Sequence, residues 1–130
     1  MGKNDQLTGI ANNLAESIIS STNQYYLKQL ESLPIETTRS IAIDLLKERI
    51  EPECLMNGPI KDMISHYKKW FYSEIKTLRI DAEDIDNVTV KLETSLEMKL
   101  EKGTIRKYVC KATINAKGKE YKKEARASWQ

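Results

Sequence analysis

Residues 88–100 read VTVKLETSLEMKL, and their alternation decides the fold class. Val88, Val90, Leu92, Thr94, Leu96, Met98 and Leu100 share one parity, while Thr, Lys, Glu and Ser fill the other. A period of two predicts a strand over about 87–100 with one apolar face and one wet face. Two more strands are expected after it, at about 104–115 and 119–129. Together the three form an antiparallel meander.

The loops set the expected registers. A three-residue loop at Glu101–Gly103, with glycine in the left-handed position, would set Leu92 opposite Ala112, Val90 opposite Ile114, Thr94 opposite Cys110 and Glu93 opposite Lys111. A two-residue turn at Lys117–Gly118 would set Ile114 opposite Tyr121, Cys110 opposite Ala125 and Lys111 opposite Glu124. Apolar residues then share the inner face, and a Glu93–Lys111–Glu124 ladder lies outside, each opposite-charge pair contributing about 0.2–1 kcal/mol. A slip by one residue would set leucines against lysines. Lys123 alone falls on the inner face, opposite Ala112, where its stem can lead the charge out at the sheet edge.

Upstream the period changes to 3.6. Leu7, Ile10, Ala11, Leu14, Ile18 and Tyr25 mark an amphipathic helix over about 5–33, ended by Pro34. A second helix is expected over about 36–50, with Ile41, Ala42, Leu45, Leu46 and Ile50 on its apolar face and Pro52 closing it. After the breaker-rich EPECLMNGP (51–59), a third runs over about 59–79 with Pro59 in its first turn. Its buried stripe is Ile60, Met63, Ile64, Tyr67, Trp70, Phe71, Ile75 and Leu78. The acidic DAEDIDN (81–87) stops it. The expected architecture is therefore α+β: one domain over 1–130, with three N-terminal helices packed on one face of a C-terminal three-stranded antiparallel β-meander. Cys110, Ala112, Ala125 and Ala127 make that face shallow, so a helix can approach closely there.

At 40% hydrophobic and 31% charged residues, the chain is globular in composition. No apolar run approaches the roughly 20 residues that cross a bilayer. The opening GKNDQ resembles the polar start of a mature bacterial lipoprotein, with Met1 standing where the lipid-bearing cysteine would be. That resemblance implies a lipid anchor in a longer precursor; the alternative is a cytosolic protein that begins at Met1. Cys54 and Cys110 are the two cysteines. A disulfide between them would staple the 51–59 connection to the middle strand, contributing about 3–4.5 kcal/mol in the chain-entropy view. It would place the protein in the periplasm or at the outer-membrane periphery; two free thiols would place it in the cytoplasm.

No catalytic pattern emerges. His66, the single histidine, lacks neighbours at metal-ligand spacing. Glu83, Asp84 and Asp86 lack the glycine and distal glutamate of a calcium loop and read as a solvated acidic stretch. None of the five glycines builds a phosphate-cradling loop. No cofactor and no metal is implied, and the chain is not expected to be an enzyme.

The charge is segregated. Residues 102–130 hold nine Lys/Arg against two Glu, a net of +7, leaving −5 for the rest of a chain whose total is +2. Arg106, Lys117, Lys119, Lys122 and Arg126 are the basic residues left without partners in the expected registers. With Tyr72 and Tyr26, which fall off the apolar stripes, they form the candidate interaction surface. The function expected is non-enzymatic recognition of a protein partner, by a bacterial envelope accessory, immunity or inhibitor-type protein. Two alternatives stand beside it. One is a cytosolic nucleic-acid-associated accessory protein using the basic hairpin, and the other a binder of small apolar ligands between helices and sheet.

Overall fold

The computed structural model describes residues 3–21, 40–51, 59–100 and 103–129. In chain order the elements are α1 (Lys3–Ser21), β1 (Ser40–Asp44), β2 (Arg49–Glu51), α2 (Pro59–Thr77), a 3-10 turn (Ala82–Asp84), β3 (Ile85–Leu100), β4 (Gly103–Ala116) and β5 (Lys119–Trp129). The fold is α+β. Its sheet has five antiparallel strands in the order β2-β1-β3-β4-β5.

The two extra strands correct the expected second helix. Residues 40–51 form a β-hairpin, with Ile43 opposite Ile50. Ile41, Leu45 and Ile50 suit a helical face, but Ile41, Ile43 and Leu45 also alternate, and all four are buried. Ala42, assigned to the helical apolar face, is exposed. β3 decides between the two periods. Its edge offers a row of backbone donors and acceptors, and β1 satisfies them by pairing Ile41 with Leu92 and Ile43 with Val90. The Leu45 amide extends that tie by donating to the Val88 carbonyl at 3.0 Å. Of the expected first helix, α1 accounts for the part up to Ser21; residues 22–33 lie outside the described residues, as does Tyr26.

α2 follows its expected stripe. Ile60, Met63, Ile64, Tyr67, Phe71 and Ile75 are buried, while Trp70 and Leu78 are half-buried against the core. Its end is a left-handed cap. Arg79 has φ 59, its amide donates to Lys76 O at 3.1 Å, and the Ile80 amide donates to Ile75 O at 2.8 Å. Buried Ile80 and Ile75 supply the apolar contact that accompanies such caps.

The last hairpin has the expected register, with Ile114 opposite Tyr121, Cys110 opposite Ala125 and Lys111 opposite Glu124. Lys117 (φ 50) and Gly118 (φ 76) form its two-residue turn, both in the left-handed region as a type I′ turn requires. The first hairpin differs. Leu92 meets Cys110, Val90 meets Ala112 and Val88 meets Ile114, a displacement of two residues from the expected pairs. A two-residue slip keeps every side chain on its face, so alternation cannot detect it. Leu100 pairs with Gly103, and β3 carries an extra residue between Thr94 and Leu96 and another between Ile85 and Asn87; from Leu96 to Leu100 the displacement is therefore one residue, and Leu96 meets Lys107 in the ladder.

The inner faces of β1, β3 and β4 join α1 and α2 in one core, which includes Ile41, Ile43, Val88, Val90, Leu92, Cys110, Ala112, Ile114, Leu14, Ile18 and Phe71. α1 crosses β4 and β5, with Cα atoms within 8 Å of theirs. Small residues permit this: Ala11 and Ala15 lie fully buried, as do Cys110 and Ala112 in the sheet. Ser17 and Tyr67 then hydrogen-bond hydroxyl to hydroxyl at 3.0 Å, joining α1 to α2.

Candidate interaction surface

With both described helices on one side, the other side of the sheet is left to its charged parity. Two cross-strand rows define its centre. One runs Glu51, Ala42, Lys91, Lys111, Glu124; the next runs Arg49, Asp44, Thr89, Thr113, Lys122. Flanking them are Glu93–Val109–Arg126 on one side and Asn87–Asn115–Glu120 on the other. The small side chains of Ala42, Thr89 and Thr113 make the floor of a shallow trough of about 550 Å³, walled by Lys91, Lys111 and Lys122. A second depression of about 250 Å³ continues it over Asp44 and Arg49 to the β2 edge.

The displaced register brings Lys91 directly opposite Lys111. Glu93 resolves the conflict, its carboxylate lying 3.5 Å from the ammonium of each. The basic hairpin is neutralised in the same manner. Lys117 lies 3.4 Å from Asp84, Lys122 2.6 Å from Glu120, and Arg126 hydrogen-bonds Glu124 at 3.0 Å. Such exposed pairs contribute about 0–1 kcal/mol each, so they matter more for surface potential than for stability. Among the described outward residues five cations (Arg49, Lys91, Lys111, Lys122, Arg126) face five carboxylates (Asp44, Glu51, Glu93, Glu120, Glu124). Over these residues the face is balanced rather than basic.

Of the expected interaction residues, Lys117, Lys119, Lys122 and Arg126 gather on β5 and its turn. Lys119 has no ion pair among the described residues, and Lys123 projects from the inner face to solvent. Arg106 pairs with Glu97 in the ladder; its side chain lies outside the description. Tyr72 sits apart on α2, 40% exposed, its ring edge-on to Phe71 at 5.9 Å. The sequence reading missed Ala42, Asp44, Arg49 and Glu51, because it placed the first three on a helix and Glu51 in the connection after it; the alternation in SIAID (40–44) was the available signal.

Cys110 is a free, fully buried thiol, and burial pushes its pKa up to about 12. Its expected partner, Cys54, lies outside the described residues, so the expected disulfide has no support here. His66 is exposed on α2, its ring edge-on to Tyr67 at 5.1 Å. No group of three or more potential metal-ligating side chains occurs among the described residues. No helix among them is long and apolar enough to cross a membrane. A small cleft of about 190 Å³ lies between Leu7, Ile80, Ile85, Ala116 and Tyr121 at the turn end of β4 and β5.

No protein-family model matches the chain, and neither a curated protein nor a solved structure matches it significantly.

Proposed function

We propose that this chain is a non-enzymatic protein-binding domain that meets its partner with the uncovered outer face of its sheet. The observation that carries the reading is the trough floored by Ala42, Thr89 and Thr113 and rimmed by Lys91, Lys111, Lys122 and Glu124. Small floor residues let a partner's backbone or side chains approach the sheet. The rim offers both donors and acceptors in a fixed cross-strand order, which favours selection of a partner over indiscriminate adhesion. The role would be that of an accessory, immunity or inhibitor-type protein, acting by recognition alone.

A bacterial-envelope setting is a separate proposal. The free Cys110 thiol argues against a version of it that depends on a Cys54–Cys110 disulfide. For the nucleic-acid alternative the charge balance is unfavourable, since Lys117, Lys122 and Arg126 each lie against a carboxylate.

Affinity capture with wild-type chain, Thr89→Arg and Tyr72→Ala tests the reading. Thr89→Arg fills the trough, whereas Tyr72→Ala alters α2. Loss of a captured protein with Thr89→Arg alone, at unchanged circular dichroism, is the expected result. Equal capture by all three chains overturns the assignment to this face, and retention on DNA that weakens steeply with salt would favour the alternative.

A further inference from the structure

We propose that β5 pairs with β5 of a second copy of this chain, antiparallel, about a two-fold axis at Lys123. β5 is the last strand of the sheet, runs from Lys119 to Trp129, contains no proline, and pairs with β4 without a register break. It lacks the bulges and shortness by which edge strands are often protected; its protection is charge, with Lys123 pointing inward at the edge, and charge can be matched by a partner strand of complementary pattern.

Its outward groups can be assigned from the turn. Across a two-residue turn the flanking pair, Ala116 and Lys119, is hydrogen-bonded, and an antiparallel ladder alternates thereafter. Odd-numbered residues of β5 therefore spend their N–H and C=O groups on β4. Glu120, Lys122, Glu124 and Arg126 direct theirs away from the sheet.

Those four residues form a self-complementary charge pattern. With the axis at Lys123, Glu120 falls opposite the other copy's Arg126, and Lys122 opposite its Glu124; symmetry repeats both pairs. Moving the axis to Lys122 sets Glu120 against Glu124, and moving it to Glu124 sets Lys122 against Arg126. One register thus gives opposite charges at all four positions. The contacts already formed within each strand, Lys122–Glu120 and Arg126–Glu124, would extend across the axis as a network. Opposed to them is one like-charged pair, Lys123 with its symmetry mate on the inner face, where the side chain is exposed and free to splay. Four favourable pairs against one unfavourable pair describe a dimer that is weak and concentration-dependent.

This inference goes beyond the proposed partner-binding face, since it uses the strand edge, and it holds or fails independently of capture by that face. Sedimentation equilibrium of the full chain from micromolar to millimolar concentration should show reversible dimerisation. Lys122→Glu creates two like-charged pairs and should weaken association by about tenfold or more. Adding Glu124→Lys to it restores opposite charges at every position and should restore the wild-type constant. Lys123→Thr should tighten the dimer. Hydrogen exchange should slow with concentration at the amides of Glu120, Lys122, Glu124 and Arg126. A chain that stays monomeric to millimolar concentration overturns the proposal. So does a dimer indifferent to the Lys122 and Glu124 exchanges, or one that leaves those four amides unprotected.

Discussion

The carboxylate of Glu48, in the turn between β1 and β2, accepts a 2.9 Å hydrogen bond from the hydroxyl of Ser65 on α2. The Lys68 ammonium, one helical turn further on, lies 3.6 Å from the same carboxylate. Glu48 holds φ 51 to make the turn, a conformation that disfavours any residue but glycine or asparagine. The side-chain contacts explain why a glutamate serves there. They latch the β1–β2 hairpin to α2.

The latch should titrate. The Ser65 hydrogen bond first, and then the Lys68 charge, lower the Glu48 pKa from its ordinary 4.5, with desolvation opposing them. A lowered folded-state value means that the contribution is fully present above about pH 4.5 and is lost as pH falls through the lower folded value. An NMR titration of the Glu48 carboxyl should find its midpoint below 4.5 in the wild type and moved upward in Ser65→Ala. An unmoved midpoint in Ser65→Ala would remove the hydrogen bond as the cause.

Arg79 occupies the left-handed cap of α2 at φ 59. A side chain in that region costs about 1–2 kcal/mol, partly offset in glycine by its looser unfolded state. Arg79→Gly should therefore raise stability by about 0.5–1 kcal/mol, while Arg79→Ala should leave it nearly unchanged. Urea denaturation of the three chains distinguishes these outcomes.

Gly118 presents the converse case. It has φ +76 and nothing within 4 Å of where a Cβ would stand, so conformation alone opposes a side chain. Gly118→Ala should cost about 1–2 kcal/mol and raise hydrogen exchange first in β5, the strand that depends on this turn for its register. A neutral substitution would mean that the β4–β5 ladder tolerates another turn.

Burial of Cys110 predicts an alkaline weakness. Its pKa is raised from 9.0 to about 12, so the unfolded thiol ionises in a range where the folded one stays protonated. Its share of stability is intact below pH 9.0 and falls by about 1.4 kcal/mol per unit between there and about 12. Cys110→Ala should be about 1 kcal/mol less stable at neutral pH, because it removes buried volume. The gap should close and then reverse as the solution becomes alkaline. Iodoacetamide should modify Cys110 only at the rate of unfolding; fast labelling of native protein would contradict the burial.

Much was legible where the deciding interactions are local. The stripe from Ile60 to Ile75 carries a helix by itself. The alternation from Val88 to Leu100 specifies which parity faces the core, and Lys117–Gly118 specifies a two-residue turn and with it the register of β4 and β5. Glu120, Lys122, Glu124 and Arg126 of β5 could be placed on the outer face, and Lys123 on the inner, from that register alone. Three features were decided only by tertiary structure. Residues 40–51 satisfy both periods, and they become strands because β3 needs a backbone partner along its edge. Between Val88 and Thr94 the β3–β4 register differs from the expected one by two residues, which alternation cannot distinguish; beyond the extra residue on β3 it differs by one, with Leu96 opposite Lys107. The outer face is balanced because that register brings Glu93 between Lys91 and Lys111, and because the β1–β2 hairpin adds Asp44, Arg49 and Glu51 to the sheet. Local sequence determines what a segment can form and which side it buries; pairing across the chain determines what lies beside it.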